Sequence, residues 1–287
     1  MNPSLRIRLL THADLSFADS LRSLAGWNQT MDDWERFLAT EPDGCFLAEW
    51  EGQPAGTATT TTYGTTLAWV GMVLVHPGHR RRGIGRALLE HCLDHLRRRG
   101  VQCVKLDATP LGETVYRSLG FEAEWTLARW SGRATDLRAN RSGAGLRPWC
   151  STDLGEIEAL DAAAFGGSRQ RLLAALPAQS SAALILESPP GRIAGFGLLR
   201  PGSQALYLGP VVAASKQAGL DLVEGLVARG DGQDLFWDIP DPNTAAVSWA
   251  NRHGFTVQRR LTRMRLGKSL AQGDPHQQFA LSGPETG

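Results

Sequence analysis

The sequence predicts a mixed α/β chain that carries its fold twice, and three observations predict it. An apolar, strand-like run over residues 67–75 is followed by a turn bearing Gly83 and Gly85, and then by a helix-like run over 86–96. Next come an apolar stretch over 101–106, read as a strand, and a helix-like segment over 109–119, which Gly120 closes as a C-cap ahead of Phe121. The third observation is internal similarity. Ile7-Arg8-Leu9-Leu10-Thr11-His12-Ala13-Asp14-Leu15 is echoed by Leu146-Arg147-Pro148-Trp149-Cys150-Ser151-Thr152-Asp153-Leu154, at a spacing of 139.

The echo continues along the chain. Ala55-Gly56 recurs as Ala194-Gly195 (139), Gly71 as Gly209 (138), Gly83 as Gly219 (136) and Gly120-Phe121 as Gly254-Phe255 (134). A spacing that shrinks slowly and in order is what a tandem duplication with small loop deletions produces. The polar stretch from Ser131 to Gly145 reads as the connection, which divides the chain into a domain over 1–132, a linker over 133–145 and a second domain over 146–287. Residues 278–283 follow a polar stretch and are expected to form a last strand.

Length and composition bound the function. A chain of 287 residues can bury two cores, and 42% hydrophobic with 21% charged residues is ordinary for a globular protein. A net charge of +1 favours neither nucleic acid nor an acidic membrane surface as partner. Cys45, Cys92, Cys103 and Cys150 form no C-x-x-C motif and no dense framework, so a reduced, cytoplasmic setting is expected. No apolar run approaches a membrane span, and the first residues lack the apolar core of a signal peptide.

Arg80-Arg81-Arg82-Gly83-Ile84-Gly85, with Arg86 following, is the richest stretch. A glycine-bearing turn at a helix N-terminus offers free N–H groups and the positive end of the helix dipole, which suits a pyrophosphate. A P-loop needs G-x-x-x-x-G-K-[ST], and none of Lys105, Lys216 and Lys268 falls in the turn. A dinucleotide fingerprint needs a third small residue where Leu88 stands, and a tighter turn than 75–83 allows.

A third pattern fits better. Arg80-x-x-Gly83-x-Gly85, introduced by Val75-His76-Pro77, is similar to the [RQ]-x-x-G-x-[GA] loop of the GNAT acetyltransferase superfamily. Downstream, residues 109–121 resemble that family's N-x-x-A-x-x-x-Y-x-x-x-G-F: Tyr116, Gly120 and Phe121 match, while Thr109 and Gly112 replace its Asn and Ala. The resemblance covers residues from about 5 to 130. The whole chain looks like the tandem-GNAT group that includes YitH-like proteins, through Gly26-Trp27-Asn28, Leu106-Asp107-Ala108-Thr109-Pro110 and Thr262-Arg263-Met264-Arg265.

The resemblance implies two tandem GNAT-like domains, each a mixed, largely antiparallel sheet flanked by helices, with acetyl-CoA as co-substrate and no metal. It implies that the backbone of Val73, Leu74 and Val75 holds the pantetheine arm and that an N–H near Val73 stabilises the oxyanion. Gly83, Ile84 and Gly85, with Arg80, Arg81, Arg82 and Arg86, are then expected at the pyrophosphate, and Thr109, Gly112 and Tyr116 beside the cofactor. Tyr116 is expected to protonate the leaving thiolate; packing of its helix against the sheet is the alternative use of the same residue. Trp27, Asn28 and Trp69 are expected to line the acceptor pocket, with core packing again the alternative. The general base stays open among His76, His79, Glu113, Asp107 and a water chain, because residues 67–75 contain no Asp, Glu or His.

The second copy departs where chemistry is expected. Its loop reads Lys216-Gln217-Ala218-Gly219-Leu220-Asp221, which sets Asp221 against Gly85, where a carboxylate repels a pyrophosphate. Ala250 stands for Tyr116, while Asn243 restores the family's Asn. An active half and a degenerate half follow. His91 and His95 have the spacing of a zinc pair but no third ligand, and read as one flank of an apolar helix stripe. Arg97-Arg98-Arg99 reads as a solvated helix C-terminus. The expected activity is direct transfer of an acetyl group to a small-molecule amine. The alternatives are acetylation of a protein N-terminus or lysine, and a non-catalytic acyl-CoA sensor.

Overall fold

A computed structural model describes residues 4–133, 145–188, 191–268 and 272–287. The first half runs β1 (Leu5–Leu9), α1 (Leu15–Leu24), α2 (Met31–Thr40), β2 (Cys45–Trp50), β3 (Gln53–Tyr63), β4 (Leu67–Val75), α3 (Ile84–Arg98), β5 (Cys103–Ala108), α4 (Pro110–Ser118) and β6 (Glu122–Gly132). The second half repeats that order: β7 (Leu146–Pro148), α5 (Leu154–Phe165), α6 (Gln170–Ala175), β8 (Ala182–Glu187), β9 (Ile193–Arg200), β10 (Leu206–Ala213), α7 (Lys216–Val227), β11 (Leu235–Pro240), α8 (Thr244–Arg252) and β12 (Thr256–Gly267), followed by a short β13 (Gln278–Ala280). The expected linker 133–145 lies, apart from Arg133 and Gly145, outside the described residues.

The repeat extends to individual ion pairs. Arg8 clamps Asp14 with two 2.8 Å hydrogen bonds and reaches Glu49 at 2.7 Å. Arg147 does the same with Asp153 (2.8 and 2.7 Å) and Glu187 (2.7 Å). In both halves the pair ties the first strand to the turn that enters the first helix.

The described strands form one sheet in the order β1-β2-β3-β4-β5-β12-β6-β11-β10-β9-β8-β7, with β13 against β10. Pairing is antiparallel except between β4 and β5 and between β10 and β11. The halves therefore interlock. β12, from the second half, lies between β5 and β6, and β6, from the first, lies between β12 and β11. The boundary read from the sequence divides the chain in order but not in space.

Helices cover both faces. On α3 the residues Ile84, Leu88, Cys92 and Leu96 recur at helical spacing and are buried against β3 and β4. His91 and His95 flank that stripe and meet the Phe46 ring edge-on at 4.7 and 5.3 Å, so they are packing residues. Trp34 and Phe37 of α2 fill the opposite face. The same division recurs in the second half, with α7 on one face and α5 and α6 on the other. Among the described residues no cluster of His, Cys, Asp or Glu could hold a metal ion, and no helix is long and apolar enough to cross a membrane.

Candidate active site

The site begins as a defect in β4. Thr57 pairs with Leu74 but Thr59 with Gly71, so the ladder carries a bulge, and Met72 there adopts φ +50°. The Thr57 hydroxyl donates to the Met72 carbonyl at 2.9 Å and holds the bulge. Across the other edge, β4 pairs with β5 only at Ala68↔Val104 and Trp69↔Lys105, and beyond that the two strands part. The β5-facing backbone of 70–75 is left without a ladder partner in β5, which opens a slot.

A cavity of about 80 Å³ occupies the slot. The first half lines it with Trp27, Gln29, Val73, Leu106, Thr109 and Tyr116 among others, and the second half with Arg259, Leu261, Pro284 and Glu285. Thr109 caps α4 by accepting from the Gly112 N–H at 3.2 Å. A Cβ on Gly112 would lie 2.9 Å from the Tyr116 ring, so the glycine lets the ring lean over the first turn of its own helix. Burial pushes the Tyr116 phenol up to about 12, so it holds its proton at neutral pH. Among the described residues its hydroxyl has no hydrogen-bond partner.

Beyond the slot, residues 76–83 lead to the N-terminus of α3, and Gly83 sits at the N-cap with φ +81°. That left-handed conformation suits glycine. The surrounding cations are differently engaged. Arg86 pairs with Glu90 at 2.8 Å, Arg82 lies over the Trp50 ring at 5.1 Å, and Arg80 reaches the Val75 carbonyl at 3.4 Å. Arg81 has no ion-pair partner among the described residues. Exposed cations beside free helix N–H groups are an arrangement that suits an anion.

The corresponding slot of the second half is filled by its own chain. β10 pairs with β11 only at 206–208, and β13 adds to β10 through Val211↔Ala280 and Val212↔Gln278. Asn243 caps α8 and donates to the carbonyls of His276 (2.9 Å) and Gln278 (3.0 Å), fastening the inserted strand. Phe279 presses on Gly219, where a Cβ would meet its ring at 2.2 Å. The loop has also gone: residues 214 and 215 stand where the first half has 76–83.

This corrects the alignment of Asp221 with Gly85. Leu222 approaches the bare Cα of Gly195 as Leu88 approaches that of Gly56, so Gly219 holds the place of Gly85. Asp221 is half-buried and bonded to Gln217 at 2.7 Å. Deletion of the loop and insertion of β13, rather than a misplaced carboxylate, remove the second slot.

Two family models match this chain. One, described as the acetyltransferase (GNAT) family, matches residues 14–121, and one described as an acetyltransferase (GNAT) domain matches 157–280. The chain belongs to the GNAT acetyltransferase superfamily. It is 27% identical over 179 residues to the uncharacterized N-acetyltransferase YitH of Bacillus subtilis, a match spanning 62% of each protein. To the holothin acyltransferase of a Pseudoalteromonas species it is 24% identical over 265 residues, 91% of this chain and 87% of that one. A solved protein from Pyrococcus horikoshii superposes over all of this chain and 97% of its own with a TM-score of 0.84 at 23% identity, a likeness of fold.

Within the GNAT frame, several expected residues fall elsewhere. Trp27 lines the cavity, but Asn28 does not: it is buried against the second half, donating to the Ala205 carbonyl at 2.9 Å and accepting from the N–H groups of Gln204 and Ala205. Trp69 is fully buried, with Arg263 over its ring at 4.4 Å and its Nε1 donating to the Pro284 carbonyl at 2.9 Å. Both residues bond across to the second half. Among the candidates for the base, His76 and His79 stand in the loop, away from the cavity wall, and Glu113 is paired with Arg117 and the Thr262 hydroxyl. Asp107 does border the cavity, but Arg263 grips both its oxygens at 2.9 and 2.8 Å.

Of the two carboxylate residues among those that line the cavity, Asp107 and Glu285, the one without an arginine clamp is Glu285, which sequence reasoning missed. It is 4% exposed and accepts from Gln29 Nε2 at 2.7 Å. Burial raises its carboxyl above the usual range, Asp33 adds to the effect, and Arg200 opposes it. The surrounding segment is anchored throughout. The Tyr63 hydroxyl donates to the Thr286 carbonyl at 2.6 Å, and Arg200 and Arg169 donate to the carbonyls of Ser282 and Gly287. The one trace in the sequence was the expectation of an ordered strand at 278–283, which the structure realises as β13 over 278–280.

Proposed function

We propose that the protein is a cytoplasmic N-acetyltransferase that moves the acetyl group of acetyl-CoA directly to the amine of a small molecule. The observation that carries this is the cavity at the parting of β4 and β5, which Tyr116 and Glu285 both line. One residue can give a proton and the other can take one, beside a bulged backbone.

The roles follow from position. The open edge of Val73 to Val75 receives the amides of the pantetheine arm as an added strand would be received. The N–H of Val73, turned by the bulge at Met72, faces the oxyanion that forms during transfer. Gly83, Ile84 and Gly85 close on the pyrophosphate with the α3 N-terminus, while Arg80, Arg81 and Arg86 neutralise it. Tyr116 gives its proton to the departing sulfur and Glu285 receives one from the amine. Cys92 and Cys103 are buried away from the cavity, which supports direct transfer without an acyl-enzyme.

The walls supplied by the second half favour a small acceptor over a protein terminus. Arg259 and Leu261 of β12 and Pro284 and Glu285 of the 282–287 segment line a cavity of about 80 Å³, a volume that suits a small amine. The test is thiol release from acetyl-CoA over a panel of small amines, with calorimetric titration of acetyl-CoA alongside. Binding with amine-dependent release is expected; absence of binding, or binding without release by any amine, would defeat the reading.

A further inference from the structure

Two residues that line the cavity each carry a buried polar atom without a partner. Gln29 Oε1 and Arg259 Nε are both enclosed without a hydrogen bond, and both residues line the cavity. Orphaned buried groups are costly, and native structures keep few of them. The two are of opposite kind. Gln29 commits its amide nitrogen to Glu285, which leaves a carbonyl oxygen seeking a donor. Arg259 is a cation seeking an acceptor.

The other arginines at this junction are satisfied. Arg129 holds Asp238 with two hydrogen bonds, Arg263 holds Asp107, and Arg200 donates to the carbonyls of Gly209 and Ser282 and lies 3.7 Å from Asp33. The Arg259 side chain has no ion pair or hydrogen bond among the described residues. Its Nε is nevertheless shielded from water, and burial lowers its affinity for a proton. A cation kept unpaired beside a buried carboxylate, in one small cavity, calls for a ligand that carries both charges.

We propose that the acceptor is a small amino carboxylate, with its ammonium group held by Glu285 and Gln29 Oε1 and its carboxylate by Arg259. This rests on the transferase reading above and names the substrate class of the same cavity. One guanidinium matches one carboxylate in bidentate geometry. Trp27 and Leu261 leave an apolar wall for the remainder of the molecule. In the transfer the nitrogen forms a bond to the acetyl carbon as the carbon–sulfur bond breaks. The ammonium group loses two protons. Glu285 takes the first before attack, the thiolate gains one through Tyr116, and the net excess of one proton passes to solvent. Two of the recognition groups, Arg259 and Glu285, come from the second half, so the copy without a cofactor slot supplies acceptor selectivity.

The experiment compares the common L-amino acids with the amines that lack only their carboxylate. Thiol release from acetyl-CoA is measured with wild type, Arg259→Gln and Arg259→Lys, and acetyl-CoA affinity is titrated for each. At least one amino acid is expected to react with kcat/KM roughly ten- to a hundredfold above its decarboxylated partner. Arg259→Gln should erase that preference through the acceptor KM, Arg259→Lys should keep part of it, and acetyl-CoA affinity should stay unchanged in both. Equal use of amine and amino acid, a preference that survives in Arg259→Gln, or acetyl-CoA binding with neither set reacting would each overturn the acceptor class. Failure of wild type to bind acetyl-CoA would instead defeat the transferase reading beneath it.

Discussion

Glu285 rests on the bare Cα of Gly71: a Cβ at position 71 would come within 2.6 Å of the Glu285 carbonyl oxygen and 2.8 Å of its Cα. Residues from the two halves of the chain thus meet in the cavity lining, immediately before the bulge at Met72. Gly71→Ala is expected to push the 282–287 segment away and cost about 1–3 kcal/mol through overpacking. A lower melting temperature together with a raised acceptor KM would show it; a wild-type melt would contradict the close approach.

Tyr116→Phe keeps the ring that leans on Gly112 and removes only the hydroxyl. If that hydroxyl protonates sulfur, kcat should fall roughly a hundredfold or more while acetyl-CoA affinity holds. A residue used for packing alone would leave kcat near wild type. Single-turnover rates with titration calorimetry separate the two.

Acetyl-CoA should bind at one site per chain, because β13 fills the gap beside β10 and the second loop is reduced to residues 214 and 215. Gly85→Asp should abolish that site without unfolding the protein. A Cβ at 85 meets nothing closer than Val75 Cγ2 at 3.5 Å, so the new carboxylate acts through its charge. Calorimetric stoichiometry is the check, and two sites would refute the closed second slot.

The Glu285 carboxyl keeps its proton to higher pH when folded than when unfolded, because burial and the nearby Asp33 raise it against the opposing Arg200. From about 4.5 upward the folded state therefore binds more protons than the unfolded state, and stability declines as pH rises through that window. Glu285→Gln should flatten this part of the melting profile. Activity should run the other way, with kcat/KM rising as the wild-type group loses its proton and that limb missing in the variant. Paired melting and rate profiles against pH test both signs.

Arg263 and Asp107 join the exchanged strand β12 to β5 by a fully buried ion pair. Arg263→Met leaves the Asp107 carboxylate without its cation and should cost about 3–5 kcal/mol. Denaturant unfolding measures it. A loss below 1 kcal/mol would mean that the pair does not hold the two halves together.

The sequence by itself determined the order of elements, the duplication, the turn at 80–86 ahead of α3, and the placement of Tyr116 on a capped helix. The duplication shows only when segments 134–139 residues apart are compared, but the others are written in short-range periodicity and in glycines whose backbone geometry few other residues adopt, so each is readable within a window of some ten residues. The tertiary structure alone decided that β12 and β6 trade places, that β13 enters the second slot, and that Trp69 and Asn28 serve the interface between halves. It also decided that Arg259, Glu285 and Tyr116 line one cavity. Those outcomes depend on which strand edges and which buried charges find partners across more than a hundred residues of chain. A local pattern carries no trace of a partner that distant.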